Sequence, residues 1–410
     1  MAKITYLLGA GASANTIPVV NNMHKRLIEV ISFLGNYTPS TKISSVYSVL
    51  ADEQKETLKL IIDELKWLWK ESGNYYTIDT LAKKYYLIND DIKLKKLKRA
   101  LILFFCIEQC LNIKSFSDSS NGYNFLKEQI DKRYGSFIAS ISRKRYPIAI
   151  SGGEQMNNNS NFELNNNIKI LSWNYDMQFE LALKLLDKKK IESIKSQCQI
   201  FPNKYTINEA YNNPLKSEYF AMVKLNGDAN WYLNSKPHLI GDWTILDALK
   251  DSTDEEELLK DFMEKFKESD FEQDLRNINL TSPFLSFNFA WENDANFKEK
   301  YHGHPINLQI AQSIAVETEI LVVIGYSFPI FNREIDKLII NDMRKLKKIY
   351  IQDKEPNKIK STMLNAFEII EETEIKNQYD GQLTLYNNRG PVSFMTENNT
   401  NQFIIPYELT

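Results

Sequence analysis

At 410 residues the chain has room for two or three domains, or for one domain that carries large insertions. Its 43% hydrophobic and 25% charged residues are those of an ordinary soluble globular protein. A net charge of −3 removes any global electrostatic case for nucleic-acid binding, so none is predicted.

The N-terminal Met-Ala-Lys runs straight into a strand, so no signal peptide is expected and the location is expected to be cytoplasmic. Lys3 to Leu8 is a β-branched and aliphatic run that ends in Gly9-Ala10-Gly11, which predicts a buried strand feeding a tight turn. Asn22 to Ile31 then carries Met23, Leu27, Ile28 and Ile31 at helical spacing. The next strand-like run, Ile168 to Leu171, comes more than a hundred residues later. Compact doubly wound domains use short connections, so this gap predicts an inserted helical unit over 36–144. Within it, Gln54 to Cys110 is rich in apolar residues three and four apart, most clearly over Asp63 to Glu71 and Leu94 to Leu111. Lys93 to Arg99 reads as a solvated helix face, and the Asn-rich Glu154 to Asn167 as a surface loop. The longest apolar run, Ala100 to Ile107, is too short to span a bilayer, so no membrane partner is expected.

Strand-like runs return at Ala221 to Leu225, Ile320 to Ile324 and Lys348 to Gln352, with helical patterns at Met177 to Leu186 and Asn307 to Val316. None of the strands alternates, as expected of a parallel sheet covered on both faces. Glu255 to Phe271 is an acidic amphipathic excursion, and the extension over 357–410 adds one helix (about Ser361 to Ile370) and short strands. The predicted fold is therefore α/β, a doubly wound, mostly parallel Rossmann-like sheet over 1–35 and 145–356.

Cys106, Cys110 and Cys198 are too few for a disulfide framework or a four-thiolate zinc site, and the first two read as core residues. His302 and His304 form a lone His-x-His with no nearby partner, so no metal is expected. His24 sits on a helix face.

Ligands of open parallel sheets sit beyond the carboxyl ends of the strands. There the chain carries Gly9-Ala10-Gly11-Ala12-Ser13, Trp173-Asn174-Tyr175-Asp176, Asn226-Gly227-Asp228, Gly325-Tyr326-Ser327 and Asp353. All are small, polar or amide residues able to face a nucleotide. Glycines let backbone N–H groups approach a pyrophosphate, and the Ser13 hydroxyl can donate to phosphate. The string also satisfies the dinucleotide pattern G-x-G-x-x-A; a turn packed closely on the sheet is the other reading. The acidic residue that ends the second strand of hydride-transfer enzymes is missing, because Glu29 lies in a helical pattern. Trp173 reads as core, whereas Tyr175 and Tyr326 read as stacking platforms.

Together these segments resemble sirtuins, with Gly9-Ala-Gly-Ala-Ser13 and Ile17-Pro18, then Ser172-Trp-Asn-Tyr-Asp176, Leu225-Asn-Gly227 and Gly325-Tyr-Ser327. The likeness is strongest to the sirtuin-like NAD-hydrolase domains of bacterial antiphage defence systems, over residues 1–30 and about 145–355. The resemblance implies that Gly9, Ala10, Gly11, Ser13, Ile17 and Pro18 hold NAD+ and that Asn174 lies under the nicotinamide ribose. It implies that Asp176 contacts the carboxamide or ribose and that Gly325 and Ser327 line the adenosine side, with Tyr175, Tyr326 and Asp353 also expected to touch the cofactor. It further implies NAD+ depletion in abortive infection, restrained by self-assembly or by a complex with a ring-forming ATPase or a nucleotide-processing protein.

Three departures bear on this. The segment to Pro18 is one residue shorter than in sirtuins, with Thr16 in place of glycine. The zinc cysteines of the deacylases are absent. The usual histidine is Asn226, an amide that takes no proton near pH 7. Hydrolysis then needs only orientation, or takes its base from elsewhere, with His302 or His304 available, or the site is a sensor that binds NAD+ or ADP-ribose without turnover.

Overall fold

A computed structural model describes residues 2–35, 52–110, 130–144, 162–202 without 188 and 190, 215–229, 288–293, 305–372 without 368, and 390–409, with Leu259, Met263 and Phe266. In chain order, β1 (Ile4–Leu8) leads through a 3-10 turn (Ala10–Ser13) to α1 (Val20–Gly35). Next come α2 (Asp52–Ser72), α3 (Ile78–Leu87), α4 (Asp91–Cys110) and α5 (Lys132–Ile141). An antiparallel ribbon of β2 (Ser142–Lys144) and β3 (Phe162–Leu164) precedes β4 (Ile168–Ser172). Then follow α6 (Gln178–Asp187), α7 (Ile191–Gln197), β5 (Ile200–Phe201) and β6 (Ala221–Lys224). The last part is α8 (Pro305–Glu317), β7 (Ile320–Ile324), α9 (Arg333–Asp342), β8 (Lys348–Gln352), α10 (Pro356–Phe367) and β9 (Ser393–Glu397).

Seven strands form one parallel sheet in the order β5-β6-β4-β1-β7-β8-β9. The central strands are buried along their whole length because both faces are covered, which is why their sequences carry no alternation. Tyr6, Ile170, Met222, Val322 and Tyr350 point into the core on one face, with α1 to α7. Leu7, Leu171, Val223, Val323 and Ile351 point into the core on the other, with α8, α9 and α10. This two-layer cover makes the protein a Rossmann-like α/β fold. From β1 the chain first moves toward β4, whereas β7 on its other side leads to β8. The topological switch point therefore lies between β1 and β7, where an open sheet offers a ligand crevice.

The expected strands are all present, and two more join them. β5 is two residues long, too short to carry a pattern, and β9 in the C-terminal extension is half exposed and polar. The Asn-rich stretch expected as loop holds β3 at its end, while residues 154–161 lie outside the described residues. The inserted helices bury Leu65, Leu68, Leu81, Leu97 and Phe104 in the same core as β1. Their apolar stripes belong to the sheet's own core. Lys98, expected on a solvated face, is buried and ion-paired with Glu292 at 2.7 Å, and Arg99 forks onto Glu64. Of the acidic stretch, Leu259, Met263 and Phe266 are described, as buried helical residues one turn apart. No helix among the described residues is long and apolar enough to cross a membrane.

Candidate functional site

The turn after β1 and the loop after β7 meet backbone to backbone. Gly9 N–H donates to Ile324 O at 3.0 Å and Gly11 N–H to Gly325 O at 2.9 Å. A Cβ on Gly9 would lie 2.6 Å from Gly325 O, and one on Gly11 2.7 Å from Gly325 Cα. Gly325 itself has φ +57° and would place a Cβ 2.5 Å from Ala12 N. The glycines thus serve the close approach of two strand ends at the switch point, and the Gly9 and Gly11 amides are held by β7 and its loop. Gly9 has φ −117°, which any residue adopts. Exposed Ala10 and half-buried Gly11 remain at the cleft surface, whereas α1 starts only at Val20, so its positive end is not at the turn. Ile17 is buried, Pro18 half-buried, and Ser327 stands exposed at the rim.

Ser13 is an internal hub. It is 1% exposed, its Oγ shares a hydrogen bond with Tyr134 Oη at 2.9 Å, and it accepts from Asn174 Nδ2 at 3.2 Å. It also donates to the Asp176 carboxyl. The hydroxyl expected to serve phosphate is committed to joining β1 to β4. Asn174 is held by a second bond, from its backbone N–H to Ser172 Oγ at 3.1 Å. Asp176 Oδ1 accepts from Gln178 N–H at 3.1 Å. Burial pushes the Asp176 carboxyl up from its ordinary value, opposed by Lys224 and by these hydrogen bonds.

Lys224, at the end of β6, lies beneath this group and is fully buried. Its Nζ donates to Asp176 O at 2.6 Å and stands 2.8 Å from Glu180 Oε1. Beyond it, Gly227 turns the chain with φ 74°, and Asp228 is ion-paired to Lys195 at 2.8 Å with both side chains fully buried. These contacts fix Asn226, whose Nδ2 donates to Tyr175 Oη at 3.3 Å. Asn226 Oδ1 is a buried acceptor with no partner among the described residues. Tyr175 is half-buried, with its ring 5.9 Å from that of Phe105.

Tyr326 is core, not a stacking platform. It is 4% exposed, stacks on Trp173 at 6.1 Å, and its Oη donates to Asp336 Oδ2 at 2.7 Å. Trp173 Nε1–H donates to Asp336 Oδ1 at 3.0 Å, so one carboxyl on α9 ties the ends of β4 and β7. Burial pushes the Asp336 carboxyl up to about 8, against the pull of those two hydrogen bonds and of Arg333. A proton is then retained in the folded state and lost in the unfolded one between about pH 4 and 8. The stability this proton carries is full below the unfolded pKa and declines as pH rises toward 8. The stability difference between wild type and Asp336→Asn is expected to shrink by up to about 1.4 kcal/mol per pH unit across that window. Urea midpoints at pH 5 and 7.5 check this; parallel pH profiles would exclude it.

The inserted helices supply site residues that the strand-end reading missed. Arg133 Nη2 donates to Ala12 O at 2.9 Å from the start of α5, with Asp131 as its buried partner. Gln178 Oε1 accepts from Asp131 N–H at 2.8 Å and from Thr16 Oγ1 at 3.1 Å. Gln109 Oε1 accepts from Met177 N–H at 2.6 Å. No local pattern singles these out, because apart from Asp131 beside Arg133 each partner lies tens of residues away in the chain.

Asp353 Oδ1 accepts from Glu355 N–H at 2.9 Å in the turn between β8 and α10. His302, His304 and Trp231 lie outside the described residues. Among the described residues no group of three or more His, Cys, Asp or Glu could hold a metal ion. His24 stacks on Trp69 at 5.2 Å, and the buried Cys106 thiol donates to Ala229 O at 3.7 Å.

No family model matches the chain, and no curated protein matches it. Fold and geometry define its class as a Rossmann-like α/β protein in which the β1, β4, β6 and β7 ends converge at the switch point.

Proposed function

We propose that the chain hydrolyses NAD+ to nicotinamide and ADP-ribose in the cleft formed by these strand ends. The observation that carries the reading is the Asn174 Nδ2 to Ser13 Oγ hydrogen bond of 3.2 Å, which sets an amide at the β4 end beside the switch point. Cleavage of a pyridinium riboside passes through an oxocarbenium-like state. Fixed amide dipoles and a nearby carboxyl stabilise that charge with little reorganisation. Asn174 and Asp176 are fixed in this sense by Ser172, Ser13, Gln178 and Lys224. Asn226, the counterpart of the sirtuin histidine, offers an acceptor for a ribose hydroxyl or water. The same resemblance favours an effector in antiphage defence that depletes NAD+ from the cytoplasm when a partner or self-assembly releases it.

One observation favours a second reading. Asn226 takes up no proton near pH 7, which suits a sensor that binds NAD+ or ADP-ribose and signals to a partner. Nicotinamide release and NAD+ binding measured on one preparation, with its partner and trigger supplied, separate the two. Asn174→Ala is expected to lower release by about 100-fold or more, the scale of losing one oriented dipole at the transition state. Binding without release supports the sensor, and equal release by the variant removes Asn174 from the site.

A further inference from the structure

Tyr134, near the start of α5, brings a phenol from outside the sheet to the group that holds Asn174. The residue is 2% exposed, and its ring packs edge-on against Phe403 at 5.0 Å and Phe179 at 6.3 Å, so the phenol oxygen is fixed in place. On the residue before it, Arg133 Nη1 donates to Thr400 O at 3.2 Å and Nη2 to Ala12 O at 2.9 Å. The start of α5 is thereby tied both to the C-terminal segment and to the turn after β1. Burial, with Asp176 nearby, pushes the Tyr134 phenol well above its ordinary range, so it keeps its proton.

A serine hydroxyl has one proton and two lone pairs. The Ser13 proton goes to the Asp176 carboxyl. Tyr134 Oη, 2.9 Å away, then donates into one lone pair, and the other is left for Asn174 at 3.2 Å. Only the Nδ2 end of the amide can donate there. Asn174 Oδ1 is therefore turned away from Ser13, and no described residue donates to it.

We propose that Tyr134 is a positioning residue for NAD+ cleavage, supplied by the inserted helices: its hydrogen bond to Ser13 fixes which end of the Asn174 amide meets the ribose. The inference rests on the hydrolase reading. The carbonyl oxygen is the negative end of the amide dipole, the end that stabilises a positive charge growing at C1′ of the nicotinamide ribose. A reversed amide would present its NH2 group and oppose that charge. Without the phenol, Ser13 Oγ keeps an empty lone pair and one bond fewer to hold its rotamer, and Asn174 loses its fixed orientation.

The test is nicotinamide release by wild type, Tyr134→Phe, Ser13→Ala and the double variant in the same active assembly. Phenylalanine keeps the ring packing, and urea unfolding reports that each variant is folded in the assay. Tyr134→Phe is expected to lower kcat about tenfold, the scale of one buried hydrogen bond, with KM within about threefold. In the Ser13→Ala background the same change is expected to cost less than about twofold, because the hydroxyl it acts through is gone. A wild-type kcat in Tyr134→Phe, a loss carried by KM alone, or equal losses in both backgrounds overturns the role of Tyr134 and leaves the hydrolase reading intact. A wild type that releases no nicotinamide with its partner and trigger supplied overturns both.

Discussion

Gly325→Ala is expected to lower stability by roughly 2–6 kcal/mol and to separate the β1 and β7 ends. Two costs combine. Gly325 has φ +57°, a conformation that costs an L-residue about 1–3 kcal/mol. Its new methyl would also lie 2.5 Å from the Ala12 nitrogen and from the Gly11 Cα and carbonyl carbon. These are backbone atoms that cannot swing aside, and overpacking of this kind costs about another 1–3 kcal/mol. The Gly11 N–H to Gly325 O bond of 2.9 Å would be lost with the contact. Denaturant unfolding reads the stability, and proteolysis within residues 9–18 reads the local opening. A variant with the wild-type midpoint would show that the two loops are not pressed together.

Lys224→Met is expected to cost a similar amount, roughly 3–5 kcal/mol, because it strands a buried charge. Lys224 and Glu180 are both fully buried. Their 2.8 Å contact is an ion pair without the alignment of a hydrogen bond, and Glu180 Oε2 has no partner among the described residues. Methionine fills the lysine's volume but leaves the Glu180 carboxylate in an apolar setting, and it removes the donor to Asp176 O. The double variant Lys224→Met with Glu180→Leu is expected to recover much of the loss, since a buried pair and an apolar pair are of similar worth. Urea unfolding of the two single variants and the double completes the cycle. Additive losses would contradict the pairing.

Much of the sheet was legible because its central strands announce burial on both faces through unbroken apolar runs, as in Ile320–Ile324. β9 was expected only as one of the unplaced short strands of the extension, because an edge strand such as Ser393–Glu397 is half exposed and has no reason to be apolar. The convergence of strand ends was legible from topology alone, and Ser13, Asn174 and Gly325 do meet there. The work of individual residues was less so. A Gly-x-Gly turn at a phosphate and one pressed on a neighbouring loop need the same residue types, and only Gly325 O, 2.9 Å from Gly11 N, tells them apart. Tyr326 looked like a platform because its partner, Asp336, sits on the next helix in an ordinary amphipathic pattern. Arg133 and Tyr134 come from the inserted helices, where nothing local marks a residue that turns toward the cleft.

The central claim is that the β1, β4 and β7 ends form one nucleotide cleft. A crystal structure with a non-hydrolysable NAD+ analogue tests it most directly. The nicotinamide ribose is expected within hydrogen-bond distance of Asn174, with the pyrophosphate beside Ala10 and Gly11 and the adenosine toward Ser327. An analogue bound elsewhere, for example in the cavity of about 520 Å³ between Lys354–Lys358 and Thr396–Asn398, would contradict it.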